Sequence, residues 1–392
     1  MSNLLLKNAN IHTGEEELLH ASIYISEGKI VEVGDYDHLI GKIEDCQIID
    51  CKDKGWLLPG MIDVHIHGAG GHDVMDATAK ALSGLCTLLP KEGTTSFLAT
   101  TMTQSETNIE KALVNISSFL SEDNKNGAEI IGVHLEGPFI NPEKRGAQLA
   151  EHIQTPDVEK FKRWHSLSGE SIKLITIAPE KDKEFQLIKY LKELGVTVSM
   201  GHTNGTYKEM SEAIAHGVTH ATHLYNGMSG LHHREPGVAG AALLSDDVSV
   251  ELILDGFHVR PEMAELTYRI KTADKIILIT DAMRAKCLAD GTYDLGGQVA
   301  TLKDGKVENQ EGSLAGSVLK MKDARNNFAQ WIDNDLSVLT KITSVNPAKQ
   351  IGVYDRKGSI HPGKDADIIM VNDSGEIILT ICRGEVCHEE IS

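Results

Sequence analysis

The spacing of apolar and polar positions changes character twice along this chain. Over residues 1–55 it marks short strands and turns. Leu4-Leu5-Leu6, Ser22–Ile25, Ile30–Val33 and Gln47–Ile49 carry β-favouring residues, and Glu27-Gly28-Lys29 reads as a turn. The C-terminus repeats that style. Ala366–Val371, Ile377–Thr380 and Val386 read as strand, with turns at Asn372–Gly375 and Arg383-Gly384-Glu385. Neither end alone has enough strand to bury a core. The two ends are therefore expected to pair into one small β-sandwich around the excursion between them.

From residue 56 to about 350 the pattern becomes strand, helix, strand, helix. Candidate strands are Met61–His67, Thr95–Thr100, Glu129–Glu136, Ile172–Ala178, Thr197–His202, Thr219–Leu224, Val250–Leu254 and Lys275–Thr280. Helical periodicity fills the gaps at Thr78–Glu92, Glu106–Ser121, Pro156–His165, Lys183–Leu194, Tyr207–His216 and Pro261–Thr272. Ser317–Trp331 and Ser337–Thr343 read as closing helices. Eight alternations predict an α/β chain wound into a closed (β/α)8 TIM-like barrel rather than an open doubly wound sheet. No G-x-G-x-x-G follows a strand, which removes the main support for a dinucleotide fold. The expected domains are residues 56–352 as the barrel, with 1–55 and 353–392 as the two parts of the β-sandwich.

Composition narrows the function. The chain has 392 residues, enough for a barrel plus a small satellite. Its formal net charge of −19 argues against nucleic acid or an anionic membrane as partner. An anionic small substrate would then need a locally basic pocket. No apolar run approaches the roughly 20 residues of a membrane span. The first residues lack the basic start of a signal peptide, so a cytoplasmic protein is expected. The six cysteines form no C-x-x-C pair and are expected as free thiols.

Candidate chemistry gathers at the C-terminal ends of the predicted strands. His65 and His67 lie two apart, so on a strand both imidazoles leave one face, roughly 7 Å apart. Glu136 closes the third strand, His202 the fifth and His223 the sixth, and Asp281 follows the eighth. In a barrel these ends converge on one mouth, where active sites lie. Four His, one Glu and one Asp form a nitrogen and oxygen donor set suited to zinc, iron, manganese or nickel. They suffice for two divalent metals, with Glu136 placed to bridge. Asp281 is the candidate general base and acid, and metal-assisted hydrolysis the natural reaction class. Two loops suggest a substrate clamp, Asn226–Gly237 and Asp255–Pro261. Arg234 and His258, with His232 or His233 as helpers, would suit a phosphate. Arg234 could equally pair with Glu235 or another carboxylate.

The motif Pro59-Gly-Met-Ile-Asp-Val-His-Ile-His-Gly68 resembles the first-strand signature of the amidohydrolase superfamily, and Gly363-Lys-Asp-Ala-Asp-Ile368 its returning β domain. More narrowly, His134-Leu-Glu-Gly-Pro-Phe139, Gly201-His-Thr-Asn204, Thr222–Met228, Asp255-Gly-Phe-His258, Thr280-Asp-Ala-Met283 and Leu314-Ala-Gly-Ser317 resemble the N-acetylglucosamine-6-phosphate deacetylase family, in order and over nearly the whole chain. The resemblance implies deacetylation of a phosphorylated amino sugar, in amino-sugar catabolism and cell-wall sugar recycling. It implies Glu136, His202 and His223 as principal metal ligands and Asp281 as general base and acid. Asn226, Gly227, Arg234 and His258 are implied as phosphate and sugar contacts, and Leu314, Ala315, Gly316 and Ser317 as a loop over the substrate. It further implies a homodimer, with phosphate contacts that could cross the subunit interface. Some members lack His-x-His and hold one metal; with His65 and His67 kept, two per subunit are expected. Some members carry a His twelve residues after the metal Glu, where this chain has Gln148. A neutral amide can donate to an oxyanion, or a second metal could take over that role. The alternatives are another superfamily hydrolase acting on a cyclic amide or nucleobase, and a non-catalytic structural relative.

Overall fold

The computed structural model describes residues 3–36, 46–122 and 126–391. Eight parallel strands form the centre: β1 (Met61–Ile66), β2 (Thr94–Thr101), β3 (Glu129–Glu136), β4 (Ile172–Ile177), β5 (Thr197–Met200), β6 (Val218–Ala221), β7 (Ser249–Leu252) and β8 (Ile276–Leu278). They pair in sequence order. The β1 and β8 ends of this sheet meet through a parallel bridge between Ile66 and Ala282. Two backbone bonds flank it, Asp281 N–H to His65 O at 2.8 Å and His67 N–H to Ala282 O at 2.9 Å. Below them Asp63 accepts from Thr280 Oγ1 at 2.6 Å. The seam that closes the barrel thus draws His65, His67 and Asp281 together. Strand β2 is buried along its whole length, as expected of a parallel strand covered on both faces.

Each strand is followed by a helix: α1 (Ala79–Leu88), α2 (Glu106–Ser121), α3 (Val158–Leu167), α4 (Gln186–Leu194), α5 (Tyr207–His216), α6 (Gly237–Leu244), α7 (Pro261–Lys271) and α8 (Met321–Trp331). Local chemistry sets their ends. Thr206 and Glu209 form a reciprocal capping box at the start of α5, and Gly217 ends it. The sequence pattern predicts no helix where α6 lies. Its stretch Gly237-Val-Ala-Gly-Ala-Ala-Leu-Leu244 is apolar all round and buried almost throughout, so it lacks the one-sided periodicity of a surface helix.

Both chain ends join one eight-stranded sheet. Its order is Glu385–Glu389, Ile377–Cys382, Ile368–Val371, Trp56–Pro59, Asn3–His12, Glu17–Ser26, Lys29–Gly34, with Cys46–Asp50 also pairing Asn3–His12. It encloses its own apolar core, including Leu6, Ile11, Ile23, Ile25, Ile368, Met370 and Leu379. The hydrogen bonding of this sheet runs on to Pro59, and Gly60 turns the chain into β1. A side chain at Gly60 would strike Thr95 Oγ1 at 2.2 Å. Ions lock the sheet to the barrel. Glu129 at the start of β3 pairs with Arg356 at 2.7 Å and with buried Lys357 at 2.6 Å, and Lys357 also pairs with Asp365 and Asp367.

A three-stranded antiparallel meander, Gly291–Leu295, Gln298–Lys303 and Lys306–Asn309, lies between β8 and α8 and has no counterpart among the elements expected from the sequence. Leu295, Ala300, Leu302 and Val307 bury its inner face against Met102, Ala147, Met283 and Ala315. The alternation in Gln298–Lys303 followed by Asp304-Gly305 is a hairpin signal that could have found it.

Candidate metal centre and pocket

The six expected ligands meet at the C-terminal mouth. His65 and His67 straddle the end of β1, and Glu136 is the last residue of β3. His202, His223 and Asp281 come just past the ends of β5, β6 and β8, with φ of 48°, 32° and 47°. Residues with side chains seldom adopt this left-handed region, and here three do so at the same rim. The turn stops each strand early and aims the side chain inward.

Glu136 is the hub. Its Oε1 lies 3.2 Å from His202 Nε2, 3.3 Å from His223 Nε2 and 3.4 Å from His65 Nε2. Its Oε2 lies 3.3 Å from His67 Nε2. Asp281 Oδ1 lies 3.4 Å from His65 Nε2 and 3.3 Å from His67 Nε2. The ligand atoms divide into two buried groups, His65 with His67 and Asp281, and Glu136 with His202 and His223, each within 4.8 Å of one another.

This donor set fits divalent metal. His202 donates from Nδ1 to Lys144 O at 2.9 Å, which leaves a bare lone pair on Nε2. That atom lies 3.1 Å from His223 Nε2, so two imidazole nitrogens face each other beside the Glu136 carboxylate, as ligands of one cation do. His65 Nε2 is buried without a hydrogen bond. Burial alone would raise the pKa of Glu136, but His65, His202 and His223 hold it well below the usual carboxylate range.

Behind the ligands stands Glu251, in the middle of β7 and fully buried. It accepts from His65 Nδ1 at 3.0 Å, from His220 Nε2 at 3.0 Å and from the His223 backbone N–H at 3.0 Å. Sequence reasoning passed over Glu251 and His220. The available signal was a carboxylate inside the apolar run Val250-Glu-Leu252, since a charge facing a barrel interior needs partners. Asp63 plays a similar part at the seam, accepting from the backbone N–H of His65 and Thr280.

Above the metal-type residues opens a pocket of about 340 Å³. His67, Glu136, Gln148, His202, His223, Asn226, Gly227, His258, Asp281, Leu314 and Gly316 line it; His65 lies beneath. Ala315 points into the core under the meander. Ser317 is buried and donates from Oγ to Thr280 O at 2.5 Å, so it fastens the loop rather than facing the pocket. Gln148 has both ends engaged: Nε2 donates to Glu136 Oε2 at 2.8 Å and Oε1 accepts from Thr103 N–H at 2.9 Å. His258 is held by Asp255, Nδ1 to Oδ2 at 2.6 Å.

Arg234, expected from the sequence as a pocket cation, stands apart from this chain's pocket: it is exposed, with Nη1 2.7 Å from His233 Nε2, and is not among the lining residues. Glu235 accepts from the N–H of Tyr207 and Gly237, and Ser229 donates to Gly205 O. These bonds bind the loop to the start of α5 and carry residues 231–235 outward. His232 and His233 are exposed with it.

Residues 56–387 match the model of the amidohydrolase family. The N-acetylglucosamine-6-phosphate deacetylase of Bacillus subtilis (strain 168) is 45% identical over 386 residues, which cover 98% of this chain and 97% of that protein. The crystal structure of N-acetylglucosamine-6-phosphate deacetylase from Thermotoga maritima is similar with a TM-score of 0.87 at 35% identity, covering 98% of this chain and 100% of that one. A mutant of the Mycobacterium smegmatis enzyme in complex with N-acetyl-D-glucosamine-6-phosphate is similar with a TM-score of 0.90 at 27% identity, covering 99% and 100%.

Proposed function

The chain belongs to the amidohydrolase family and groups within it with the N-acetylglucosamine-6-phosphate deacetylases, and on that premise we propose that it hydrolyses the acetamide of N-acetyl-D-glucosamine 6-phosphate to D-glucosamine 6-phosphate and acetate. The observation that carries this reading is the pair of adjoining ligand groups on the floor of the pocket, with Glu136 of one group 3.3 Å from His67 of the other. His65, His67 and Asp281 would hold one divalent ion and Glu136, His202 and His223 a second, two per chain; zinc, iron, manganese and nickel all suit these donors. Such ions acidify water and polarise a carbonyl.

The chain's own groups supply the rest. Asp281 faces the pocket and takes a proton from the attacking water. As the water oxygen bonds to the acetyl carbon and the carbon–nitrogen bond breaks, Asp281 returns that proton to the leaving amine. Gln148, committed at both ends, positions Glu136 and is not free to polarise the carbonyl. Asn226 and Gly227 form the wall for the sugar, and His258 takes the phosphate side. Arg234, exposed here, reaches the phosphate of a neighbouring copy in a homodimer. The protein works in the cytoplasm, where its six cysteines stay reduced.

Acetate release by metal-loaded protein tests this. N-acetylglucosamine 6-phosphate should turn over far faster than N-acetylglucosamine. Equal rates would remove the phosphate contacts. No release from either, with turnover of dihydroorotate or a hydantoin, would replace the deacetylase by a cyclic-amide hydrolase.

A further inference from the structure

A second cleft, of about 660 Å³, opens where α8 meets the terminal sheet. Trp56, Arg325, Asn326, Gln330, Asn334 and the 371–375 turn line it. Arg325 is the anomaly. It is only 5% exposed, and its one hydrogen bond among the described residues is from Nη1 to Asn326 Oδ1 at 3.1 Å. No described carboxylate lies within ion-pair distance of it. Arginine is almost never so buried without a partner, because a guanidinium removed from water needs a facing charge. Other cations at the junction of barrel and terminal sheet obey that rule: Lys322 pairs with Glu376, and Arg356 and Lys357 with Glu129 and Asp365. Burial with no opposing charge pushes the Arg325 pKa down to about 10. Asn326 holds the guanidinium while its own Nδ2 donates to Gly375 O at 3.1 Å, so the fork is oriented and its remaining N–H groups are left to the cleft that Arg325 lines.

We propose that this cleft binds a small oxyanion, a phosphate or carboxylate group, on the buried guanidinium of Arg325. The planar fork matches either group through two parallel bonds. The side-chain amides of Gln330 and Asn334 offer further donors, and the Trp56 ring gives an apolar wall for the body of the ligand. Asp373 lines the same cleft at its exposed side and disfavours a polyanion, which limits the ligand to a small mono- or dianion. The site lies apart from the metal-type residues and shares no lining residue with their pocket.

The test joins crystallography to unfolding. In crystals of the whole protein soaked in sodium selenate, the anomalous map should show a peak at hydrogen-bond distance from the Arg325 guanidinium, absent in Arg325→Met. In solution, metal-loaded protein is melted in rising sodium phosphate and, separately, sodium acetate. The anion giving the larger rise in Tm identifies the preferred group. Without added anion, Arg325→Met should melt at the same or a higher temperature, because it removes an unpaired buried charge. With anion it should lose part of the wild-type rise. Arg325→Lys keeps the charge without the fork and should retain a weaker anion response, which guards against misfolding of the methionine variant. Selenate only in the metal-site pocket, or both variants melting lower by the same amount at every anion concentration, would overturn the proposal and make Arg325 a structural residue.

Discussion

His65 donates from Nδ1 to the Glu251 carboxylate at 3.0 Å, with both side chains fully buried. The bond fixes the tautomer of His65 and turns its Nε2 toward Glu136 and Asp281. The same carboxylate holds His220 and the backbone at His223, so it braces one residue from each ligand group.

Removing that brace should be read first in metal binding. Glu251→Ala leaves His65 without an orienting acceptor and should weaken metal affinity by about 10- to 100-fold, the usual cost of losing such a partner. Competition with a chelator measures it. Wild-type affinity in the folded variant would deny Glu251 this function.

Asp281→Asn keeps size and shape but cannot take a proton. Substrate should still bind, while turnover falls by about 100-fold or more, the scale of general acid–base catalysis. Steady-state kinetics with saturating metal separates the two effects. A rate within a few-fold of wild type would move the proton to another group.

Gly227 adopts φ +59°, and a Cβ there would lie 3.0 Å from His202 Nδ1. Gly227→Ala should cost about 1–2 kcal/mol in backbone strain and also displace His202 from Lys144 O. Urea unfolding reads the strain and metal content reads the displacement. An alanine variant with unchanged stability and metal would show that the loop absorbs the side chain.

Acid should loosen the junction between sheet and barrel. Burial acts to raise the Asp365 pKa, but Lys357, Lys29 and Arg356 overcome it and lower the group from 3.8 to about 2. A depressed carboxylate contributes its stability above the unfolded pKa and loses it as pH falls toward the folded one. The urea midpoint should therefore drop between about pH 4 and pH 2, and Asp365→Asn should start lower at neutral pH with a shallower acid slope. Parallel curves for the two proteins would count against this group.

Much of the architecture could be read in advance because buried parallel strands and one-sided helices leave plain patterns. Glu106–Ser121 and Tyr207–His216 have the bounds their periodicity suggested. The strands ending near His202, His223 and Asp281 are shorter than the apolar runs implied, since each ligand takes a left-handed turn that composition does not encode. Helix α6 escaped notice because burial on every side erases periodicity. The six metal-type residues were legible from type and position alone. Glu251 and His220 were not, because their purpose is to hold other side chains. Arg234 had the right chemistry for a phosphate, but the bonds of Glu235 and Ser229 that turn its loop outward join residues far apart in sequence.

The central claim is a centre with two ligand groups, His65, His67 and Asp281 beside Glu136, His202 and His223, and metal counting tests it most directly. Fully loaded wild-type protein should hold about two divalent ions per chain by elemental analysis. The double variant His65→Gln, His67→Asn should hold about one, retained by Glu136, His202 and His223. The same count in both proteins, whether one or two, would contradict a site built for a pair of metals.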